Sequence, residues 1–226
     1  MRLRVLPGDL RPAGLAADTV TRAFFTTLLG AALLLSSGGA QAASATEANG
    51  LETMRALALE LLRAEDYDRS IEVYREIVRQ TPDDATSQYD LATALSFIRL
   101  YEEAAPPIRA AIRLEPDNLK AQEMASLIFL KLRWYQQAFE ATLKAALLGE
   151  PTAMYSLVNM YETGMGVAAD ADQAVYWAIQ AAEHGHLGAM ALMENVYRDG
   201  RFGRGFDEAK AEAWAQRLRD AQTAPK

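Results

Sequence analysis

The sequence predicts an all-α protein, a solenoid of about five helical hairpins stacked in one row. Three observations support this prediction. No stretch alternates apolar and polar residues with the period of two that is typical of strands. From residue 51 onward the sequence repeats itself every 34 to 37 residues, as repeat proteins do. Within the repeats apolar residues recur at helical spacing, beginning with Leu51, Met54, Leu57, Ala58, Leu61 and Leu62.

The composition narrows the class of protein. The chain has 226 residues, of which 50% are hydrophobic and 23% charged, as expected for a folded protein rather than a disordered one. Its net charge is −7 and its basic residues are scattered, so we expect no nucleic-acid partner, because phosphate binding requires clustered Lys and Arg. There is no cysteine, which excludes disulfide bonds, zinc sites built on thiolates and cysteine nucleophiles.

Residues 1–42 are predicted to be a secretory signal peptide. Arg22 precedes an apolar run at 23–35, and small residues follow up to Ala42, after which we expect cleavage. The run is shorter than the ~20 residues of a membrane span, so we expect no stable span after cleavage. A periplasmic or secreted location follows, with anchoring by an uncleaved N-terminal helix as the alternative. The part before Arg22 is long for a leader, so translation starts either at Met1 or near Val20.

Residues 43–50 are small and polar and are predicted to be a linker, and three repeats with a step of 34 residues follow in 51–150. A small residue near the start of each second helix lets the two helices of a hairpin approach, and a tyrosine fills the corner. A proline follows each pair because it cannot continue a helix. The recurring positions are Tyr67, Tyr101 and Tyr135; Ser70, Ala104 and Ala138; and Pro82 and Pro116, with Glu150 and Pro151 on the same schedule.

This pattern resembles the tetratricopeptide repeat (TPR). The large-plus-small pair of the first TPR helix is met by Leu57 and Ala58, Leu91 and Ala92, and Ala125 and Ser126. The resemblance implies a right-handed α-α superhelix whose first helices line a concave groove. The sequence departs from the pattern at Pro106 and Pro107, which fall where the helical ladder already needs backbone donors. We therefore expect that helix to begin late or to bend there.

Beyond residue 151 the step lengthens to 36 residues. A glycine pair that recurs with the hairpin period indicates a turn with positive φ, so Gly164 and Gly166 are predicted to join two helices. The segment resembles the Sel1-like repeat, whose pattern is met by Tyr161, Gly164, Gly166, Val167, Asp170, Ala174, Trp177, Ala181, Ala182 and Gly185. Two such repeats are predicted in 151–222, with Trp177 in the core and residues 223–226 as a disordered tail. The second copy has Phe202 in place of the second glycine and about one extra residue.

None of the tempting chemical motifs is complete. The stretch Gly164–Met165–Gly166 lacks the Lys and Ser or Thr of a phosphate loop, and no strand precedes it. The only histidines, His184 and His186, lie at a predicted turn and supply too few ligands for a closed metal site. Asp170 is expected to cap a helix. We therefore predict no catalytic site, no metal and no cofactor, and a protein that is not an enzyme.

The TPR resemblance also implies which residues line the groove. They are Arg55, Leu59 and Arg63 in the first repeat, Tyr89, Thr93 and Phe97 in the second, and Lys120, Leu127 and Lys131 in the third. Aromatic residues flanked by Arg and Lys suit an acidic or aromatic-bearing peptide, with Tyr89 and Phe97 as anchors. The alternative is that some of these side chains cover neighbouring helices. The terminal-carboxylate clamp of some TPR proteins is not matched, because Leu59, Asp90 and Met124 occupy clamp positions.

The sequence therefore predicts an exported adaptor or scaffold of the cell envelope, which binds a peptide or a partner's helix in the groove. The alternative is an enzyme or direct ligand binder that acts on cell wall or polysaccharide.

Overall fold

The structure, a computed structural model, describes residues 39–223, with side chains from residue 49 onward. The chain divides into two compact units, residues 1–53 and 54–226. Of the first unit, the structure describes residues 39–53, which are helical. Most of the predicted signal peptide, residues 1–38, and the last residues of the predicted tail, 224–226, lie outside the described residues.

Ten α-helices make up most of residues 39–223, and this range contains no strand, which confirms the all-α prediction. The helices pair as five consecutive hairpins and form a solenoid. None of the helices in this range is long and apolar enough to span a membrane. The helices are α1 (Gly39–Arg63), α2 (Tyr67–Gln80), α3 (Ala85–Phe97), α4 (Tyr101–Leu114), α5 (Leu119–Lys131), α6 (Tyr135–Leu147), α7 (Pro151–Thr163), α8 (Ala171–Glu183), α9 (Leu187–Asp199) and α10 (Glu208–Thr223).

The structure differs from the sequence analysis at residues 43–50, which belong to helix α1 rather than to an irregular linker. Alanine occupies positions 43, 45 and 48, and no proline interrupts the segment. Because alanine has the highest helix propensity, a composition that resembles a linker continues the helix instead.

The small residues of the first three hairpins lie where the two helices of each pair cross. Ser70, Ala104 and Ala138 are fully buried, as predicted. The Ser70 hydroxyl donates a hydrogen bond of 2.8 Å to the backbone carbonyl of Ala58 on the facing helix. A larger side chain at these positions would push the helices apart, since protein cores contain almost no spare volume.

Three-residue turns join the helices within each of these hairpins. The middle residue of each turn has a left-handed backbone and none is glycine: φ is 59° at Glu65, 63° at Arg99 and 59° at Arg133. A side chain in this conformation costs about 1–2 kcal/mol, which makes these positions strained. The recurrence of the same φ at a step of 34 residues shows that the three turns are equivalent.

The prolines of the second hairpin do not delay helix α4, so the expectation of a late start is wrong. Helix α4 begins at Tyr101 and includes both Pro106 and Pro107. The two carbonyl groups that lose their helical donors belong to Glu102 and Glu103, which are exposed residues. Solvent can bond to these carbonyl groups, so the helix tolerates both prolines near its start.

The tyrosines open the second helices but do not all fill the corner as predicted. Tyr67 and Tyr101 are partly buried, whereas Tyr135 remains 39% exposed. At Tyr135 the corner is occupied by backbone, because Gly166 of the loop between α7 and α8 lies directly against the Tyr135 carbonyl group.

The loops of the last two hairpins are longer and share one geometry, which confirms the predicted glycine turn. The φ angles are 74° and 76° at Gly164 and Gly166, and 68° and 56° at Gly200 and Phe202. Phe202 therefore adopts the left-handed conformation of the glycine that it replaces.

The backbone hydrogen bond that closes each long loop recurs in both copies. The Asp170 N–H donates to the Tyr161 carbonyl, and the Asp207 N–H donates to the Tyr197 carbonyl, each over 2.9 Å. The second closure spans one more residue, as the sequence predicts.

The packing around helix α8 also agrees with the sequence. The Asp170 side chain accepts hydrogen bonds from the backbone N–H groups of Asp172 and Gln173, and so caps the helix. Trp177 is only 7% exposed, which confirms its predicted place in the core.

Candidate partner-binding surface

The predicted groove residues all lie on α1, α3 and α5, the first helices of the first three hairpins. The N-caps Asp84 and Asn118 align α3 with α5. Thr93 and Leu127 follow these caps by nine residues, and Phe97 and Lys131 by thirteen. Steps of four residues keep these side chains on one side of each helix. We call Arg55, Leu59, Arg63, Tyr89, Thr93, Phe97, Lys120, Leu127 and Lys131 the first-helix face.

Large apolar side chains are exposed on the first-helix face. Phe97 is 63% exposed and Leu127 43% exposed, and Leu59 is exposed to a similar degree. Tyr89, the other predicted anchor, is partly buried. The structure thus leaves Phe97 as the most accessible aromatic residue of this face.

Arg55 already has partners within the protein. Its Nη2 atom lies 2.6 Å from Asp84 Oδ2 and donates to Ser87 Oγ over 3.0 Å. Burial disfavours the charged carboxylate of Asp84, but hydrogen bonds from Ser87 and the Arg55 guanidinium outweigh this and hold the pKa of Asp84 below its usual value. Arg55 therefore ties α1 to the start of α3, and its contact with a partner stays a prediction.

Asp90 lies beside the same ion pair and behaves in the opposite way. Burial raises its pKa, the Asp84 charge raises it further, and the Arg55 guanidinium only partly offsets them. Burial, helped by the negative charge of Asp90, also raises the pKa of Tyr74 to about 12. A carboxylate at Asp90 would repel a terminal carboxylate of a ligand, in agreement with the departure from the TPR clamp.

Thr93 fits the alternative interpretation, in which a groove residue covers a neighbouring helix. Its Oγ1 atom is buried and has no hydrogen-bond partner within the described part of the chain. A hydroxyl that is buried in this way is turned toward the protein, so it is poorly placed to bond to a partner.

The basic residues of the face differ from Arg55. Arg63, Lys120 and Lys131 are exposed, and none forms a hydrogen bond or ion pair with another residue in the range 49–223. They are therefore accessible to a partner's carboxylates.

Sequence reasoning missed Glu123, which follows the α5 cap by five residues, as Tyr89 follows the α3 cap. Burial raises the pKa of Glu123, and the nearby charge of Glu150 raises it further. The missed signal was the position relative to the helix cap, because the step of 34 residues from Tyr89 leads directly to Glu123.

The two histidines occupy the predicted turn between α8 and α9. The His184 Nδ1 atom lies 2.9 Å from the Gln180 carbonyl oxygen. The His186 Nδ1 atom accepts a hydrogen bond of 3.1 Å from the Ala189 N–H, and the ring stacks on Tyr155 with 4.4 Å between centroids. Among the described residues, no three histidine or carboxylate side chains are grouped in a way that could hold a metal ion.

No family model and no curated protein matches this sequence. Solved structures do match the fold. MamA from Desulfovibrio magneticus RS-1 is similar with a TM-score of 0.55 and 16% identity, over 76% of this chain and 94% of that one. A Sel1 repeat protein from Oxalobacter formigenes is similar with a TM-score of 0.55 and 23% identity, over 78% of this chain and 76% of that one.

A third match is YrrB, which is described as a TPR protein with an unusual peptide-binding site. Its TM-score is 0.55 and its identity 20%, over 79% of this chain and 91% of that one. At these identities the likeness concerns the fold. The repeats read from the sequence, the two kinds of hairpin turn and these neighbours agree, and the chain has the all-α repeat fold of TPR and Sel1-like proteins.

Proposed function

We propose that this protein is an adaptor or scaffold that binds a peptide or a partner's helix on its first-helix face. The observation that carries the proposal is the exposure of Phe97 and Leu127 on a face that also presents cations without partners in the described chain, Arg63, Lys120 and Lys131. Exposed aromatic and aliphatic anchors surrounded by polar residues are typical of protein-binding sites. The fold of TPR and Sel1-like proteins supports the same function.

The chemistry of the face favours an acidic segment with an apolar or aromatic residue. An apolar side chain of the partner would pack against Phe97 and Leu127, while its carboxylates would pair with Lys131 and Arg63. The basic residues would set the orientation of the bound segment and increase its association rate, because rim charges contribute more to these than to affinity.

The place of action in this proposal is the cell envelope. The support is the signal-like order of residues 1–42, in which a basic residue precedes an apolar run and small residues. The proposed activity is stoichiometric binding rather than catalysis, since no motif in the sequence completes a catalytic site.

A pull-down from envelope extract tests the proposal. Wild type is compared with Tyr89→Ala plus Phe97→Ala and with a matched control, Leu147→Ala plus Tyr176→Ala. The control removes two exposed apolar side chains from the second helices α6 and α8. Proteins that bind to wild type and to the control but not to the first-helix variant are then purified and titrated directly.

We expect direct binding to a purified partner that weakens at least about tenfold in the first-helix variant. Equal binding by both variants would exclude the first-helix face. The absence of a protein partner, together with retention on isolated cell wall, would favour the alternative function of cell-wall or polysaccharide binding.

A further inference from the structure

An open groove of about 380 Å³ lies between the second helices α4 and α6, away from the first-helix face. Arg109 and Ile112 of α4 form one wall. Glu140 and Lys144 of α6 form the other. The buried ring of Phe129, from α5, contributes to the floor. We call this site the α4–α6 groove.

The Arg109 guanidinium is held in place by aromatic rings rather than by an acid. Its Cζ atom lies 4.5 Å from the centroid of the Trp134 ring and 5.7 Å from that of Phe129. The two rings are themselves in contact, with 5.9 Å between their centroids. Within residues 49–223, Arg109 forms no hydrogen bond and no ion pair.

A guanidinium that stacks on a ring keeps its N–H edges free. Stacking restricts the rotation of the side chain, so less entropy is lost when those edges bind a carboxylate in a bidentate way. Arginine therefore presents here a preorganised site for one carboxylate next to apolar surface, which Ile112 and Phe129 supply.

The other polar groups of the groove limit what can bind. Lys144 is already paired with Asp117 over 2.7 Å, and Glu140 adds a negative charge on the α6 wall. A highly charged polyanion would meet repulsion from Glu140, whereas a single carboxylate on the α4 side would not. The Gln137 amide, which has no hydrogen-bond partner in the described chain, is free to bond to a peptide backbone.

We propose that the α4–α6 groove is a second binding site, which takes a peptide segment of a partner protein that carries one Asp or Glu next to an apolar residue. The carboxylate binds the free edge of Arg109, the apolar side chain packs against Ile112 and Phe129, and Gln137 bonds to the segment's backbone. The site is separate from the first-helix face, so the two proposals stand or fall independently.

The test uses a defined probe, the acetylated and amidated tetrapeptide Leu-Asp-Leu-Ala, and a control peptide with Asn in place of Asp. Both are titrated into the full protein to several mM while the indole N–H resonance of Trp134 is followed by NMR. The resonance is assigned with the variant Trp134→Phe. Protein variants are Arg109→Gln, Arg109→Lys and the matched control Arg113→Gln, an exposed arginine of α4 that does not line the groove.

We expect a saturable shift of the Trp134 resonance with the Asp peptide and binding at least about tenfold weaker with the Asn peptide, because a charged bidentate pair is lost. Arg109→Gln should show the same loss, Arg109→Lys an intermediate one, and Arg113→Gln none. The variant Tyr89→Ala plus Phe97→Ala should bind the probe as wild type does. No shift with the Asp peptide, equal affinity for both peptides, or unchanged binding by Arg109→Gln would each overturn the proposal.

Discussion

Gly166 packs so tightly against Tyr135 that a Cβ atom at residue 166 would overlap the Tyr135 carbonyl group, with the carbonyl carbon only 2.5 Å away. This contact joins the loop of the fourth hairpin to the first turn of helix α6 in the third. The third and fourth hairpins belong to the two different kinds of repeat, and glycine is required where they meet.

We therefore expect Gly166→Ala to destabilise the protein strongly. Gly185→Ala is a matched control, since Gly185 also has positive φ, at 87°, but its Cβ would meet no atom within 4 Å. The control should lose about 1–2 kcal/mol from backbone strain. Gly166→Ala should lose a further 1–3 kcal/mol or more from steric overlap. Urea unfolding measures both, and equal losses would show that the contact with Tyr135 is unimportant.

The left-handed residues in the short turns give a prediction of opposite sign. Arg133 has φ of 59° and is exposed, so Arg133→Gly should raise the free energy of unfolding by about 0.5–1 kcal/mol. Arg113→Gly, within helix α4, should instead lower it by about 0.5–1 kcal/mol because glycine disfavours a helix. Thermal unfolding of both variants checks the pair, and destabilisation by Arg133→Gly would contradict the role assigned to strain.

Burial of Trp177 predicts a large effect of truncation. Trp177→Ala should lower the free energy of unfolding by about 3–5 kcal/mol, since it removes a large side chain from the core. Its neighbour Tyr176, which is 50% exposed, is the control, and Tyr176→Ala should cost far less. An unchanged melting temperature of Trp177→Ala would show that this residue is outside the core.

The carboxyl group of Asp90 predicts a dependence of stability on pH. Its pKa is raised in the folded protein, chiefly by burial, so folding opposes ionisation. The resulting loss of stability is present at neutral pH and disappears as pH falls through the folded pKa and Asp90 takes up a proton. Asp90→Asn should therefore raise the melting temperature at pH 7, and this gain should shrink in acid.

Asp84 is the control of opposite sign for this measurement. Its pKa is lowered in the folded protein, so its contribution to stability is present above the unfolded pKa and is lost as pH falls through the folded pKa. Asp84→Asn should lower the melting temperature at pH 7, and the difference from wild type should close on acidification. A gain from Asp90→Asn that is independent of pH would contradict the assignment.

Helix boundaries and turns were predictable because they depend on neighbours in sequence. Pro82 after α2, the cap at Asp170 and the left-handed glycine at Gly164 all stand where local rules place them. Those rules fail where one composition suits two conformations. The alanine-rich residues 43–50 illustrate this, since they serve equally well as linker or helix.

The candidate site was only partly predictable. Helical spacing identified the side of α3 and α5 that carries Phe97 and Leu127, and both are exposed. Spacing could not reveal that Arg55 pairs with Asp84, 29 residues away, or that the Thr93 hydroxyl is buried. Those facts depend on how closely adjacent hairpins approach, which is set by side chains far apart in the chain.

The sequence by itself determined the order and kind of the elements, because repetition, capping and turn residues act over a few positions. Only the tertiary structure decided which charges are paired inside the protein and which face a partner. It also placed the Arg109 guanidinium, from the second hairpin, on the ring of Trp134 in the third. Such contacts arise from packing between hairpins, and a periodic pattern contains no information about their distances.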